Sequence, residues 1–112
     1  MKFIDVQTFP LRESTCCVAT KEKQLTAKEA GAEKIEMFLF EMQMDGYSPL
    51  HSHAGEHQIY VLEGNGQVFD GKKATELQQG DVLIIQSNEK HQIKNLGASP
   101  LRFLMVSPVG EE

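Results

Sequence analysis

The sequence predicts an all-β protein built as a single antiparallel sandwich or barrel. Turn signals recur at short intervals after Asp45, the segments between them are short and β-prone, and no helical periodicity separates those segments. A chain of 112 residues also has room for only one hydrophobic core of ordinary size. We therefore expect one domain over residues 1–112, with an N-terminal strand or arm and a loop in 1–34 and the barrel core in 35–107.

The expected elements follow from the turn signals. The helix candidate is 26–33, where Thr26 and Glu29 have capping-box spacing and Gly31 interrupts the pattern, but a loop fits this segment equally well. Asp70-Gly71 marks the clearest hairpin turn, and a type I′ turn there requires positive φ at both central residues. The expected strands are 35–44, 58–62, 66–69, 72–77, 82–86, 92–96 and 101–107.

The segment 35–42 is apolar on both faces of the strand that it predicts. A single-core protein buries only one face of a surface strand, so the second face should cover another sheet or a second subunit. This pattern makes a homodimer our working expectation. One face carries Ile35, Met37 and Leu39, and the other carries Phe38, Phe40 and Met42.

Composition excludes several classes of protein. Eleven basic and sixteen acidic side chains give a net charge of −5, which disfavours nucleic acid and anionic membrane surfaces as partners. No apolar run exceeds four residues, and Asp5 lies where a secretion signal would be apolar, so we expect neither a membrane span nor export. Cys16 and Cys17 are adjacent, which is poor geometry for a mutual disulfide, and reduced thiols fit a cytoplasmic location.

The four histidines have a spacing that suits metal binding. His51, His53 and His57 fall within seven residues, and His91 follows 34 positions after His57. Residues two apart on a strand share a face, so His51 and His53 would project side by side. A hairpin would bring His57 to the same point, and His91 would arrive from a distant strand. Neutral imidazole binds several transition metals, although clustered histidines can also form a solvated loop.

The segment 46–64 resembles the first signature motif of the cupin superfamily. That motif reads Gly, a spacer, His-x-His, three or four residues, Glu, six residues and Gly. His51 and His53 match its paired histidines, and His57 occupies the Glu position with the six-residue gap to Gly64 intact.

The segment 80–95 resembles the second cupin motif, Gly-x5-Pro-x-Gly-x2-His-x3-Asn. Gly80, His91 and Asn95 match in register. Gln86 and Asn88 stand where the motif has Pro and Gly, and neither position supplies a ligand. The resemblance covers 35–106 and implies an antiparallel jelly-roll β-barrel.

The resemblance also implies a metal. Every histidine of the chain falls on a ligand position, and His in place of Glu makes the site similar to the all-histidine site of small manganese or iron cupins. We therefore expect His51, His53, His57 and His91 to bind a divalent ion, Mn or Fe first, with Zn, Ni, Cu or Co as alternatives. Four neutral ligands leave its charge uncompensated, so the open positions should favour anions such as a carboxylate or an enolate.

Strand alternation predicts a mostly apolar pocket beside these ligands. The same side chains could equally be the plain core of any small barrel. Glu41, Glu56 and Tyr60 are the titratable residues nearest in sequence, but none is a convincing general base, and Asn95 is expected to be structural. The expected pocket residues are Ile59, Val61, Ile93, Phe103 and Met105.

Three functions remain open. The resemblance favours a metal-dependent oxidoreductase of the dioxygenase type, with a small organic substrate and O₂ at adjacent positions of Mn or Fe. A redox-neutral isomerase or decarboxylase would need no oxygen and would tolerate other ions. A non-enzymatic cupin would store, sense or bind a small ligand. Oxygen uptake, anaerobic turnover or the absence of any reaction would distinguish them.

Overall fold

The computed structural model describes residues 1–110, which form one curled antiparallel sheet of nine strands. The strands are β1 Arg12–Glu13, β2 Val18–Thr26, β3 Ile35–Tyr47, β4 His57–Glu63, β5 Asn65–Phe69, β6 Ala74–Gln78, β7 Val82–Ile85, β8 Gln92–Asn95 and β9 Leu101–Pro108. Neighbouring strands follow the order β6-β5-β8-β3-β9-β4-β7, while β2 pairs with β3 and β1 pairs with β2. This confirms the all-β jelly-roll barrel expected from the sequence. None of the described residues forms a helix that is both long and apolar enough to cross a membrane.

Strict alternation along β3, β4 and β9 defines the inner face of the barrel. In β9 every second residue from Leu101 to Ser107 is buried, and the residues between them are only partly covered. The rings of Phe40 and Phe103 stack at this face with centroids 5.3 Å apart. Complete burial of such a side chain stabilises the fold by about 1.5–3 kcal/mol. The buried apolar core comprises Phe38, Phe40, Met42, Ile59, Val61, Leu77, Ile85, Ile93, Leu101, Phe103 and Met105.

β3 runs past the turn signal at Asp45. Asp45 adopts a left-handed φ of 64°, and the strand continues past it to Tyr47. On one side of this point β3 pairs with β9, and beyond it Tyr47 pairs with Lys94 of β8. One long strand therefore pairs with both β9 and β8 and delivers the chain to the histidine loop.

The N-terminal segment differs in part from the expectation. A strand or arm was expected within 1–34 but without bounds, because the sequence is largely polar there; β2 pairs with β3 over most of its length. The helix candidate is reduced to a 3-10 turn over Lys28–Ala30, ended by Gly31 at φ 101°. Thr26 does not cap that turn, because its hydroxyl accepts the backbone N–H of Met37 at 2.9 Å.

The β5–β6 hairpin lies where it was expected, but its turn is not type I′. Gly71 has a φ of 100°, whereas Asp70 is not among the described residues with positive φ. The Asp70 carboxylate instead accepts the backbone N–H groups of Lys72 at 2.8 Å and Lys73 at 2.7 Å. This side-chain turn makes positive φ at Asp70 unnecessary.

Candidate metal centre

Three imidazoles converge where the loop after β3 meets the loop before β8. The backbones of His51 and His91 exchange two hydrogen bonds, at 3.1 and 2.9 Å, which places the two residues side by side. His53 reaches the same point, with its Nε2 atom 3.2 Å from Nε2 of His91. One nitrogen from each ring lies within 4.8 Å of the others, and the group is positioned to bind a metal. We call His51, His53 and His91 the histidine cluster.

Backbone carbonyls fix the orientation of all three rings. Nδ1 lies 2.7 Å from the Pro49 carbonyl in His51, 2.9 Å from the Gly55 carbonyl in His53 and 2.8 Å from the Glu89 carbonyl in His91. A carbonyl oxygen can only accept, so each Nδ1 carries the proton and each neutral ring presents the Nε2 lone pair. Three lone pairs therefore face one another in the cluster.

This arrangement fits a bound cation. Two nitrogen atoms that bind one ion at about 2.1 Å can be at most about 4.2 Å apart, and the Nε2 atoms of His53 and His91 are 3.2 Å apart. Two lone pairs at that distance repel unless a proton or a metal lies between them. Burial also lowers the pKa of His91, and the neighbouring rings of His51 and His53 lower it further. His91 thus favours its neutral, metal-binding form.

His57 lies beside the cluster at the start of β4. The residue is 5% exposed, and the centroid of its ring is 4.1 Å from that of His53. It is not a member of the three-nitrogen group. Its assignment as a fourth ligand stays a prediction.

Polar contacts join the loops that carry the cluster. The backbone N–H of Ser48 donates to the Ile93 carbonyl at 2.9 Å, and the Ile93 N–H donates to the Ser48 hydroxyl at 2.8 Å. The Asn88 N–H donates to the His53 carbonyl at 2.7 Å. Asn88 has a φ of 64°, so it adopts the left-handed conformation in the place of the motif glycine.

Asn95 is a structural residue, as expected. Its side-chain amide donates to the carbonyls of Met42 and Ser99 at 2.9 Å, and its oxygen accepts the Gly97 N–H at 2.9 Å. These contacts hold the end of β8 against β3.

A cavity of about 380 Å³ opens beside the histidines. His51, His57 and His91 line it, and most of the remaining wall is apolar. Val61 is 1% exposed and lies in the core, outside this lining. Of the expected pocket residues, Ile59, Ile93, Phe103 and Met105 line the cavity, together with Phe38, Phe40, Met42 and Ile85.

The N-terminal segment supplies a polar rim that the sequence did not reveal. This rim comprises Thr15, Cys16, Cys17 and Glu22, which line the same cavity. Glu22 is half-buried and pairs with Phe40 through β2 and β3. No local motif marks these residues, because the pairing of β2 with β3 brings them to the site.

The titratable residues that are nearest to the histidines in sequence lie elsewhere. Glu41 is 3.5 Å from Arg102 in an ion pair on the outer face. Tyr60 is 45% exposed, and the exposed Glu56 accepts a hydrogen bond from Gln58 at 2.7 Å. Among the described residues, the titratable groups that line the cavity besides the histidines are Glu22, Cys16 and Cys17.

Comparisons with known proteins agree with this geometry. Residues 38–107 match the family described as the cupin domain. A Thermotoga maritima protein named oxalate-binding protein is 39% identical over 84 residues, which are 73% of this chain and 69% of that protein. The polyketide cyclase RemF of Streptomyces resistomycificus superposes with a TM-score of 0.90 at 27% identity, covering 99% of this chain and 81% of that chain.

A second solved structure extends this likeness. A predicted oxalate decarboxylase of Thermotoga maritima superposes with a TM-score of 0.84 at 25% identity, covering 96% of this chain and 99% of that chain. The family match spans more than half of the sequence and includes His51, His53, His57 and His91. The chain therefore belongs to the cupin family.

Proposed function

We propose that this protein binds a divalent transition metal through His51, His53 and His91, with His57 as a fourth ligand, and coordinates a small anionic organic ligand in its cavity. The observation that carries the proposal is the set of three Nδ1–carbonyl hydrogen bonds, which leave three Nε2 lone pairs facing one another. Mn or Fe is the proposed ion, and Zn, Ni, Cu and Co are the alternatives.

The cavity wall indicates what kind of ligand would fit. No lysine or arginine is among the described residues that line it, so a bound ion would be its main positive charge. A ligand would place an oxygen-donor head, a carboxylate or an enolate, at the ion and an uncharged body against the apolar wall. A cavity of about 380 Å³ has the volume of about a dozen water molecules. The name of the 39% identical relative, oxalate-binding protein, supports an oxygen-donor ligand.

For the reaction, we favour a dioxygenase-like oxidation of the bound ligand. A divalent ion would polarise a ligand oxygen, and Fe or Mn would add redox chemistry with O₂. The chain's own contribution is to hold the imidazoles neutral and to exclude water: Phe38, Phe103 and Met105 line the cavity and are at most 8% exposed.

Glu22 favours a second candidate, a redox-neutral isomerase or decarboxylase. Its carboxylate lines the cavity and is half-buried. A carboxylate in that place could remove a proton from a bound ligand, which a purely binding protein would not need. Binding without reaction is the third candidate, and the same relative's name supports it.

Elemental analysis and ligand binding test the proposal together. Untagged protein, expressed in medium with balanced trace metals, is expected to contain close to one transition-metal ion per chain. Inductively coupled plasma mass spectrometry measures this content. Titration with oxalate and with acetylacetone, an enolisable diketone with apolar ends, is expected to give metal-dependent binding of at least one. A folded protein without metal, or a metal-loaded protein that binds neither, contradicts the proposal.

Turnover assays then distinguish the three candidates. Oxygen uptake that depends on the organic ligand supports the oxidoreductase. Product formation without oxygen that Glu22→Gln abolishes supports the redox-neutral enzyme. Tight metal-dependent binding with neither reaction supports a binding protein.

We also propose a homodimer formed through the outer face of the sheet. Leu39, Leu104, Tyr60 and Val82 form one cross-strand row there, and the last two are 45% and 68% exposed. An apolar row of this kind is typical of a covered surface. Sedimentation velocity is expected to give a dimer that Val82→Glu converts to a monomer; a monomeric parent contradicts the proposal. The single domain over 1–112 and the cytoplasmic location stay predictions.

A further inference from the structure

Two adjacent thiols lie at the cavity, apart from the histidine cluster. Cys16 and Cys17 belong to the loop between β1 and β2, and both line the same cavity as His51, His57 and His91. Cys16 is exposed and Cys17 is half-buried. The proposed metal function uses neither sulfur.

Hydrogen bonds make the two sulfurs unequal. Ser14 Oγ accepts the backbone N–H groups of Cys16 and Cys17, each at 3.2 Å, so its own O–H is left to donate to Cys16 Sγ at 3.2 Å. The Sγ atoms of Cys16 and Cys17 are 3.0 Å apart. With the thiol of Cys17 as second donor, the Cys16 sulfur receives two hydrogen bonds, an arrangement that stabilises a thiolate.

The proton affinities of the two groups agree with this geometry. The hydrogen bond from Cys17 lowers the pKa of Cys16 to about 6, against the opposing effects of burial and of the Glu22 charge. The same bond, with burial, raises the pKa of Cys17. Near neutral pH the pair therefore consists of one exposed thiolate and one protonated neighbour.

We propose that Cys16 and Cys17 form an oxidisable dithiol at the rim of the metal cavity, where Cys16 reacts with peroxides and Cys17 resolves the product. The Cys16 sulfur attacks one peroxide oxygen; the O–O bond breaks, and Cys16 becomes a sulfenic acid as hydroxide leaves. The Cys17 sulfur then attacks the sulfenic sulfur, an S–S bond forms, and water leaves with the Cys17 proton. Overall two thiols are oxidised and one peroxide is reduced to two waters.

The resulting disulfide would be easily reduced. Cα atoms of adjacent residues are about 3.8 Å apart, whereas bridged cysteines usually have Cα atoms about 4.4–6.8 Å apart. Strained disulfides have more oxidising potentials and are reduced again by ordinary thiols. The site is therefore suited to reversible modification and not to a permanent crosslink.

The full chain as purified provides the test, with hydrogen peroxide as the oxidant and dimedone as the trap for sulfenic acid. Wild type is expected to lose two hydrogen atoms in intact mass and to regain them with glutathione. Cys17→Ser is expected to accumulate a dimedone adduct on residue 16. Cys16→Ser, the matched variant, is expected to form an adduct about tenfold more slowly, because its remaining thiol is half-buried and burial raises the pKa of Cys17. Ser14→Ala, which keeps both thiols, is expected to react about fivefold more slowly than wild type.

Labelling of the unaltered chain keeps the proposal testable without any variant. Iodoacetamide followed by peptide mapping is expected to modify Cys16 about tenfold faster than Cys17. Equal rates for the two sulfurs, or a disulfide between chains as the main oxidation product, would overturn the proposal. The proposal does not rest on the metal, so its failure would leave the metal function untouched.

Discussion

Two members of the histidine cluster, His51 and His91, line the same cavity as the thiol pair Cys16–Cys17, but the chain controls the cluster and the pair in different ways. Each cluster histidine is oriented by a backbone carbonyl within two residues of it. The Cys16 sulfur is instead contacted by two side chains, those of Cys17 and Ser14. Main-chain contacts survive most substitutions of the residue that provides them, whereas side-chain contacts are lost with the side chain. The histidine cluster should therefore tolerate substitution of neighbouring residues, whereas the thiol pair should be sensitive to it.

Loss of a cluster histidine gives the largest expected effect. His53→Ala removes an imidazole whose Nε2 is 3.2 Å from that of His91, and we expect metal affinity to fall by more than about 100-fold. Ser52→Ala, at an exposed position next to it, and Cys16→Ser should leave affinity unchanged. Competition with a chromophoric chelator measures all three. A strong loss of metal affinity in Cys16→Ser would show that the histidine cluster depends on the thiol pair.

Ser48→Ala tests a side-chain contact that joins the loops carrying the histidine cluster. The Ile93 N–H would lose its acceptor, and an unsatisfied buried donor costs about 1–3 kcal/mol. We expect the free energy of unfolding, measured in urea, to fall by that amount. Ser52→Ala is the control and should change it by less than about 0.5 kcal/mol. Equal stabilities of the two variants would contradict this role.

Acid should lower the folding stability that depends on His91 of the histidine cluster. In the unfolded chain His91 takes up a proton near its ordinary pKa of about 6.5, whereas burial lowers the pKa of His91 in the folded protein. The unfolded state therefore binds more protons between those two values, and stability that is complete above about pH 6.5 is lost as the pH falls. Urea unfolding of the metal-free protein at pH 7.5 and 5.5 measures this loss, which His91→Asn should reduce.

Metal should also dissociate below about pH 6, because protonated imidazole cannot bind it.

The smallest effect is expected at Asn88. Its left-handed φ of 64° costs alanine about 1 kcal/mol but costs glycine nothing. Asn88→Ala should therefore be less stable than Asn88→Gly in urea unfolding. Both should keep the parent's metal affinity, since the contact with His53 uses the backbone N–H. Metal loss in Asn88→Gly would mean that the side chain matters to the cluster.

The sequence predicted the barrel and the histidine cluster because both follow from local sequence patterns. Turn residues bound the strands after 57, and His51, His53 and His91 match ligand positions of the two cupin-like motifs, which the structure brings together on neighbouring loops. The rim was not predictable, because β2 has little apolar alternation and is held by pairing with a distant part of the chain. Glu22 was missed for that reason.

Asp45 was misread for a related reason. Asp-Gly usually marks a turn, but β3 pairs with β9 before Asp45 and with β8 after it, so the strand continues past a left-handed residue. Pairing across the barrel therefore overrides the local signal at this position.

The Nδ1–carbonyl bonds also bear on how the site loads. Each bond lies within a three-residue stretch, so the aim of every lone pair is set by its own loop. The imidazole rings would then reorganise little when an ion binds, because the entropy cost of ordering them is already incurred during folding. One ion could be exchanged for another without opening the barrel, and the metal found in the protein would follow the supply of ions in its surroundings.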